Sequence, residues 1–331
     1  MIEEPTKAIH ADTDSITNAN GFLLAQSDGC SVYQFRNETG DGTMTCYDVF
    51  PGAMLCFNDF HMAYFDSEYV PGRNVFVIDH CREGKMEYLA AENAYAYVGA
   101  GDIKLDRRLT HTGRFIFPSS HYHGMTIAFD MEIAAQALTQ EVKDFPVNLS
   151  SLQCKYCPGR YPNVVHETEN SGHIFHELYQ VPEKIRIPYF KIKMMELLLY
   201  LYALELPSTK VERPYYYKTQ VEKVKAIQSF LIQHMAENYT QEQLSVQFDI
   251  PLTAMKNCFK SVYGASIGTW LTEYRMNRAA EILLANRDKS VAEIAGMAGY
   301  DSASKFAIAF RKIMGMTPTE YRAAIRSGKP S

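Results

Sequence analysis

No apolar run in this 331-residue chain approaches the ~20 residues that a membrane-spanning helix needs. The longest strongly apolar stretch, Met194 to Leu206, is interrupted by Glu196 and Glu205. The first twenty residues carry four acidic side chains and no apolar signal core, so the expectation is a cytoplasmic protein with no membrane partner. The seven cysteines are odd in number and lack a framework spacing, which fits reduced thiols better than disulfides. Long Gly/Ser or single-charge tracts are missing, and 47% hydrophobic with 21% charged residues is an ordinary globular balance. Positive charge is not in excess either: 33 Lys and Arg against 38 Asp and Glu give −5, which by itself argues against a nucleic-acid binder.

That average hides a split. Residues 221–331 hold 14 Lys and Arg against 10 Asp and Glu, a charge of +4, while residues 1–220 carry −9. A mildly basic C-terminal third joined to an acidic remainder suggests a nucleic-acid module fused to something that stays off the phosphates. The length accommodates two or three domains at ~100 to 200 residues each.

Between residues 20 and 130 the chain is rich in Tyr, Phe and Val and is punctuated by Asp28-Gly29, Gly40-Asp41-Gly42, Pro51-Gly52 and Gly99 to Gly101, the pattern of short strands between tight turns. Over Asn74 to His80, period two puts Phe76, Ile78 and His80 on one face and Val75, Val77 and Asp79 on the other, as in a sandwich or barrel wall packed on both sides. From Met131 the apolar spacing turns helical. Pro188 to Leu206 reads as one helix, apolar almost all round, which must be buried on two sides either within its own domain or against a second subunit. The polar, Pro-containing stretch at 207–220 reads as a linker.

The last third is punctuated by S/T-x-x-E/Q capping boxes at Thr240/Gln243, Ser290/Glu293 and Thr317/Glu320, with Pro318 at a first helical position. A repeat is also visible: Met255 and Phe306, Phe259 and Phe310, Gly264 and Gly315, and Ser266 and Thr317 each stand 51 residues apart. Each unit reads as a short helix (241–248, 291–298), a turn, and a longer helix (252–263, 302–314), which is a helix-turn-helix whose second helix enters the major groove. A 19-residue helix, Ile267 to Ala285, joins the units; at ~1.5 Å per residue it spans roughly 28 Å, suited to two readers near one DNA turn apart.

With Met255, Phe259, Phe306 and Phe310 turned inward, Thr253, Ala254, Lys256, Asn257 and Lys260 remain for DNA in the first reader. In the second, Ala303, Ser304, Ala307 and Ile308 remain for base edges, and Lys305, Arg311 and Lys312 mainly for phosphates. Asn257 suits a bidentate contact to adenine and Lys256 suits guanine, whereas Ala303, Ala307 and Ile308 offer only apolar contact such as to thymine methyls.

These residues resemble the AraC/XylS transcription regulators. The resemblance is carried by Ala292-Glu293-Ile294-Ala295, Gly299-Tyr300, Ser304, Phe306, Phe310-Arg311-Lys312, Gly315, Thr317-Pro318 and Tyr321-Arg322, and covers residues 241–326. Upstream, Ile78 to Gly84 and Phe117-Pro118 with His121 to Gly124 are similar to the sensor half of many members. The first repeat departs from the pattern, with Ile250-Pro251 where the family usually caps its recognition helix with Ser or Thr.

The resemblance implies an α+β multidomain chain: a cupin-like β-barrel sensor over residues 1–130, a helical dimerisation and support segment over 131–206, the linker at 207–220, and an all-α DNA-binding domain with two helix-turn-helix units over 221–331. It implies a regulator that is not an enzyme, with double-stranded DNA, a small-molecule effector, a second copy bound through helix 188–206, and RNA polymerase as partners. Tyr33, Tyr47, Phe57, His61, His80 and His123 are the candidates for lining an effector site in the barrel, with ordinary packing as the alternative for each.

Two rival readings remain at this stage. A cupin-type metal-dependent enzyme with an appended DNA module would use His121 and His123, but Ala128-Phe129-Asp130 follows where a ligating Glu is needed and Glu132 lies nine residues after His123. The expectation is no metal and no cofactor. Cys154 and Cys157 form a lone CxxC with no second pair at zinc spacing. The other rival is a module whose helical repeat binds protein.

Overall fold

The computed structural model describes residues 21–27, 29–66, 74–109, 113–206, 214–286 and 288–326. The chain divides into two compact units, Met1–Tyr215 and Tyr216–Ser331. Part of the expected linker, 207–213, lies outside the described residues.

The first unit is built on antiparallel strands β1 (Gly21–Ser27), β2 (Cys30–Asn37), β3 (Gly40–Phe50), β4 (Ala53–His61), β5 (Tyr64–Asp66), β6 (Val75–Ala91), β7 (Ala94–Gly99), β8 (Asp102–Asp106), β9 (Arg114–Ile116), β10 (Tyr122–Asp130) and β11 (Asn163–His166). The main sheet runs β1-β2-β3-β4-β10-β6-β7, with β8 on the first half of β6 and β11 beyond β8, while β5 and β9 form a separate ribbon. Among the described residues this pairing is an open path that closes nowhere. The structure therefore gives a strand-rich α+β unit in which a closed barrel is not seen in the hydrogen-bonding pattern.

Alternation along the strands gives the sheet two buried faces, as the period-two pattern of β6 anticipates. Phe76 and Ile78 join Leu55, Met125, Ile127 and Phe129 in a core covered by four helices, α1 (Met131–Glu141), α2 (Leu149–Tyr156), α3 (Glu169–Leu178) and α4 (Arg186–Ala203). The opposite face packs Tyr33, Phe35, Cys46, Cys56, Phe60, Cys81, Phe117 and Tyr122. Beside that cluster lies an ionic network: Asp79 accepts from Lys104 at 2.8 Å, Arg108 at 3.1 Å and Thr126 at 2.7 Å, and Lys104 also reaches Asp106 at 3.2 Å. Burial opposes the Asp79 charge, but the Arg108 and Lys104 cations outweigh it and hold its carboxyl down at about 2.

The apolar helix expected at 188–206 begins two residues earlier and ends at Ala203. Its end is set from outside: Lys155 donates from Nζ to the carbonyls of Leu201, Tyr202 and Leu204 at 2.9, 2.9 and 2.6 Å, satisfying acceptors that a continuing helix would have bonded itself. One side of α4 is core through Phe190, Met194, Leu197, Leu198 and Leu201, while Ile192, Leu199 and Tyr202 stay exposed.

Among its described residues the regular structure of the second unit is helical apart from a two-residue strand at Tyr216–Tyr217: α5 (Lys218–Gln233), α6 (Gln241–Gln247), α7 (Leu252–Tyr263), α8 (Ile267–Ala285), α9 (Val291–Met297), α10 (Ala303–Met314) and α11 (Pro318–Arg326). The capping boxes at Thr240 and Ser290 form as their spacing requires, with Gln243 N donating to Thr240 Oγ1 at 3.1 Å and Glu293 N to Ser290 Oγ at 3.2 Å. Glu320 N likewise donates to Thr317 Oγ1 at 3.3 Å at the head of α11. Gly264 and Gly315 end α7 and α10 at φ 82° and 77°, a left-handed turn that a Cβ disfavours.

Candidate functional site

Each half of the second unit sets a short helix under a longer one. In the first, α7 buries Met255, Cys258, Phe259 and Val262. Lys256, Asn257, Lys260 and Thr253 are exposed on its other side, with Ala254 at the margin. In the second, α10 buries Phe306 and Phe310 and leaves Ala303, Ser304, Lys305, Ile308, Arg311 and Lys312 exposed, with Ala307 half-buried. Ile308 is 72% exposed, a large apolar side chain with no cover on a helix that has a well-filled apolar face elsewhere. The twelve residues assigned to DNA from the sequence thus fall on the outer faces of two equivalent helices.

The repeat is not uniform. The long helices correspond at 51 residues, but Thr240 and Ser290, Leu244 and Ile294, and the turn bonds Ile250 N to Ser245 O and Tyr300 N to Ala295 O correspond at 50. The first turn is one residue shorter, and the missing residue falls next to the cap. Pro251 stands at the N-cap of α7 without a side-chain bond, whereas Ser302 accepts from Lys305 N at 3.4 Å at the head of α10. The irregular start at Ile250-Pro251 has this physical origin.

Sequence reasoning missed the residue that braces the two halves. Arg275, on α8, is buried and donates to Met235 O at 2.8 Å, Glu237 O at 2.6 Å and Asn238 Oδ1 at 3.1 Å, tying α8 to the turn after α5. Its guanidinium lies against Gly299 in the second turn; a Cβ there would sit 2.8 Å from Nη2 and 2.9 Å from Met235 O. Nothing local to Arg275 marks it out, because all its partners come from other elements.

Residues 244–324 match the family described as "Helix-turn-helix domain". The HTH-type transcriptional regulator ExsA of Pseudomonas aeruginosa is 36% identical over 99 residues, 30% of this chain and 35% of that protein. The C-terminal unit carries an AraC-type DNA-binding domain. The raffinose operon transcriptional regulatory protein RafR of Pediococcus pentosaceus is 25% identical over 259 residues, 76% of this chain and 86% of that protein. The solved DNA-binding domain of AdpA, a global transcriptional factor in complex with a target DNA, shares 28% identity and covers 33% of this chain and 97% of that chain at a TM-score of 0.31. The chain spans about a third of the length of that relative.

The six sensor candidates do not share one lining. Tyr33 packs on the face of the sheet away from the helices. Tyr47 and Phe57 lie on the helix-covered face, with rings 6.1 Å apart and 5.3 and 5.8 Å from Phe190 of α4. His80 lies flat on Phe175 of α3 at 4.0 Å, and His123 meets the edge of Tyr179 at 5.8 Å. His61 is exposed, its Nδ1 3.4 Å from that of His121 and its Nε2 3.1 Å from Asp59. Tyr179 is the centre that the sequence did not reveal: its ring is 5.4 Å from Phe57 and 6.4 Å from His80, with Arg82 above it at 4.7 Å. The two histidines considered for a metal part company, His121 going to His61 and Glu83 and His123 to Tyr179. Cys154 is exposed while Cys157 is buried in the core.

Proposed function

We propose that the protein is a sequence-specific transcription regulator in which the AraC-type domain reads duplex DNA through α7 and α10 and the first unit binds a small-molecule effector. The observation that carries the DNA reading is the pair of outward helix faces: one offers Lys256, Asn257 and Lys260, the other an apolar patch at Ala303, Ala307 and Ile308 flanked by Lys305, Arg311 and Lys312. The first reads hydrogen-bonding base edges, and the second reads thymine methyls while its cations hold phosphates.

Selection of bound fragments from random duplexes tests this reading. Asn257→Ala is expected to cost ~1 to 3 kcal/mol on the selected site and to relax one base position, whereas Lys312→Ala weakens binding to all sequences alike and flattens its salt dependence. Equal losses on selected and random DNA for Asn257→Ala would remove the assignment of its face.

A second copy of the chain is the proposed partner for α4. Ile192 and Leu199 are exposed seven residues apart on α4, with Tyr202 exposed three residues after Leu199, which is the spacing of a coiled-coil seam. Effector binding would act by its differential affinity for two arrangements of sensor and reader, and RNA polymerase is the further partner that such a regulator would meet at a promoter.

A further inference from the structure

At the end of the main sheet in the first unit, two histidines from different strands meet ring to ring. The register of β4 and β10 pairs Tyr122 with Phe60, and one step further sets His121 opposite His61. Sixty residues separate them in the chain, so no sequence spacing announces the pair. Both backbones are fixed where they stand. A Cβ on Gly40 would lie 2.0 Å from the His61 carbonyl oxygen, and one on Gly84 would lie 2.0 Å from that of His121, so each histidine is closely approached by a glycine of the neighbouring strand. Ser120, just before His121, holds φ 54°, a left-handed backbone that side chains disfavour, and its amide donates to Phe117 O at 2.8 Å. Ser119 Oγ adds a bond to the His121 carbonyl at 3.1 Å. A tight, strained turn therefore presents the ring of His121 to that of His61.

The rings meet through their Nδ1 atoms, 3.4 Å apart, with centroids at 5.0 Å. Their other nitrogens face carboxylates: His61 Nε2 lies 3.1 Å from Asp59 Oδ1, and His121 Nε2 lies 3.6 Å from Glu83 Oε2. Arg82 stands at 3.7 Å from the other Glu83 oxygen, Oε1, and leaves Oε2 to His121. An ionised carboxylate only accepts, so Nε2 of each ring carries the hydrogen and the two Nδ1 atoms confront each other as acceptors. Two acceptors so placed repel unless a proton or a metal cation lies between them. The separation favours the cation. A bond donated by N–H closes to ~2.7 to 3.2 Å, whereas tetrahedral zinc, with its nitrogen ligands at ~2.0 to 2.1 Å, sets two of them roughly 3.3 to 3.4 Å apart. One ring nitrogen toward the metal and the other toward a carboxylate is also how metal-binding histidines are held in tautomer and orientation. His61 is exposed and His121 half-buried, so water reaches the pair. Among the described residues no three or more His, Cys, Asp or Glu side chains converge on a metal position, so the remaining coordination falls to water.

We propose that His61 and His121 chelate a divalent zinc ion through their two Nδ1 atoms, with Asp59 and Glu83 holding the rings and balancing the charge. This is a different pair from His121 and His123, because the His123 ring turns to Tyr179. Bound zinc would clip the turn before β10 to the end of β4. It requires neither DNA nor an effector, so its test is separate from theirs.

Calorimetric titration of zinc into the full chain tests the proposal, after treatment with a chelator and exchange into chelator-free buffer. One equivalent is expected to bind per wild-type chain. His61→Ala and His121→Ala are each expected to lose this binding, and Asp59→Ala, which keeps both Nδ1 atoms, to weaken it roughly 10- to 100-fold. Cys154→Ser, which removes an exposed thiol, is expected to bind as the wild type does. Melting each variant in chelator separates a lost ligand from a lost fold, and a melting temperature equal to that of the metal-free wild type is expected. The proposal is overturned if the wild type takes up no zinc, if His61→Ala binds it as tightly as the wild type, if Asp59→Ala leaves the affinity untouched, or if Cys154→Ser abolishes binding.

Discussion

Gly299→Ala should unfold the AraC-type domain far more easily than a one-methyl change suggests. Gly299 sits at φ 76°, where a Cβ costs ~1 to 2 kcal/mol in backbone strain. The added carbon would stand 2.8 and 2.9 Å from Arg275 Nη2 and Cζ and 2.9 Å from Met235 O, so the buried guanidinium must leave its place. That guanidinium makes three bonds, and charge-assisted bonds contribute about 1.5 to 3 kcal/mol each; losing even one brings the total to about 2.5 to 5 kcal/mol. Trp270, the sole tryptophan, stacks on Tyr274 within this domain, so its fluorescence during urea unfolding reports this unit and not the strand-rich one. With a slope of about 1 to 2 kcal/mol per M, the midpoint should fall by roughly 1 M or more. A loss below about 1 kcal/mol would show that the Arg275 brace is dispensable and refute the reasoning. The matching place in the first turn is instructive: Asp249 holds φ 48° there without being glycine, with Lys223 at 2.9 Å from its carboxylate.

Three further outcomes can be checked. Because the Asp79 carboxyl titrates at about 2 in the folded chain and near ~3.9 unfolded, its contribution is complete above pH ~4 and is lost as pH falls toward 2; Asp79→Asn should remove that step from far-ultraviolet melts and cost ~3 to 5 kcal/mol by taking away the buried charge that Lys104 and Arg108 share. Ser290→Ala, which removes the acceptor for Glu293 N and one half of a capping box, should cost ~1 kcal/mol in the Trp270-monitored transition, and an unchanged midpoint would count against the cap. Leu199→Asp should convert a dimer to monomers in sedimentation, and a wild-type chain that is already monomeric would dispose of the α4 seam.

What could be read from the sequence was local. Capping boxes at Thr240, Ser290 and Thr317 are fixed by residues three apart, and the spans of α7 and α8 emerge as their apolar spacing requires. The outward faces of α7 and α10 follow from the same spacing once the buried phenylalanines are placed. Side-chain parity along β3, β4 and β10 separates two faces but does not say which of them the helices cover, so the sequence offers Tyr47, Phe57 and His123 equally as candidates for a site in a barrel and for ordinary packing. The end of α4 depends on Lys155, far away in sequence, and Tyr179 reaches His80 across about a hundred residues. Such contacts leave no periodic trace.

The unequal turns constrain anyone who would graft one reading helix onto the other. A transplant made in the 51-residue frame keeps Met255 and Phe259 in the sockets of Phe306 and Phe310, whereas one aligned on the preceding short helices, at 50, advances the insert by a residue and rotates it by ~100°. Such a chimera would turn its greasy side outward and sink Lys256 into the protein.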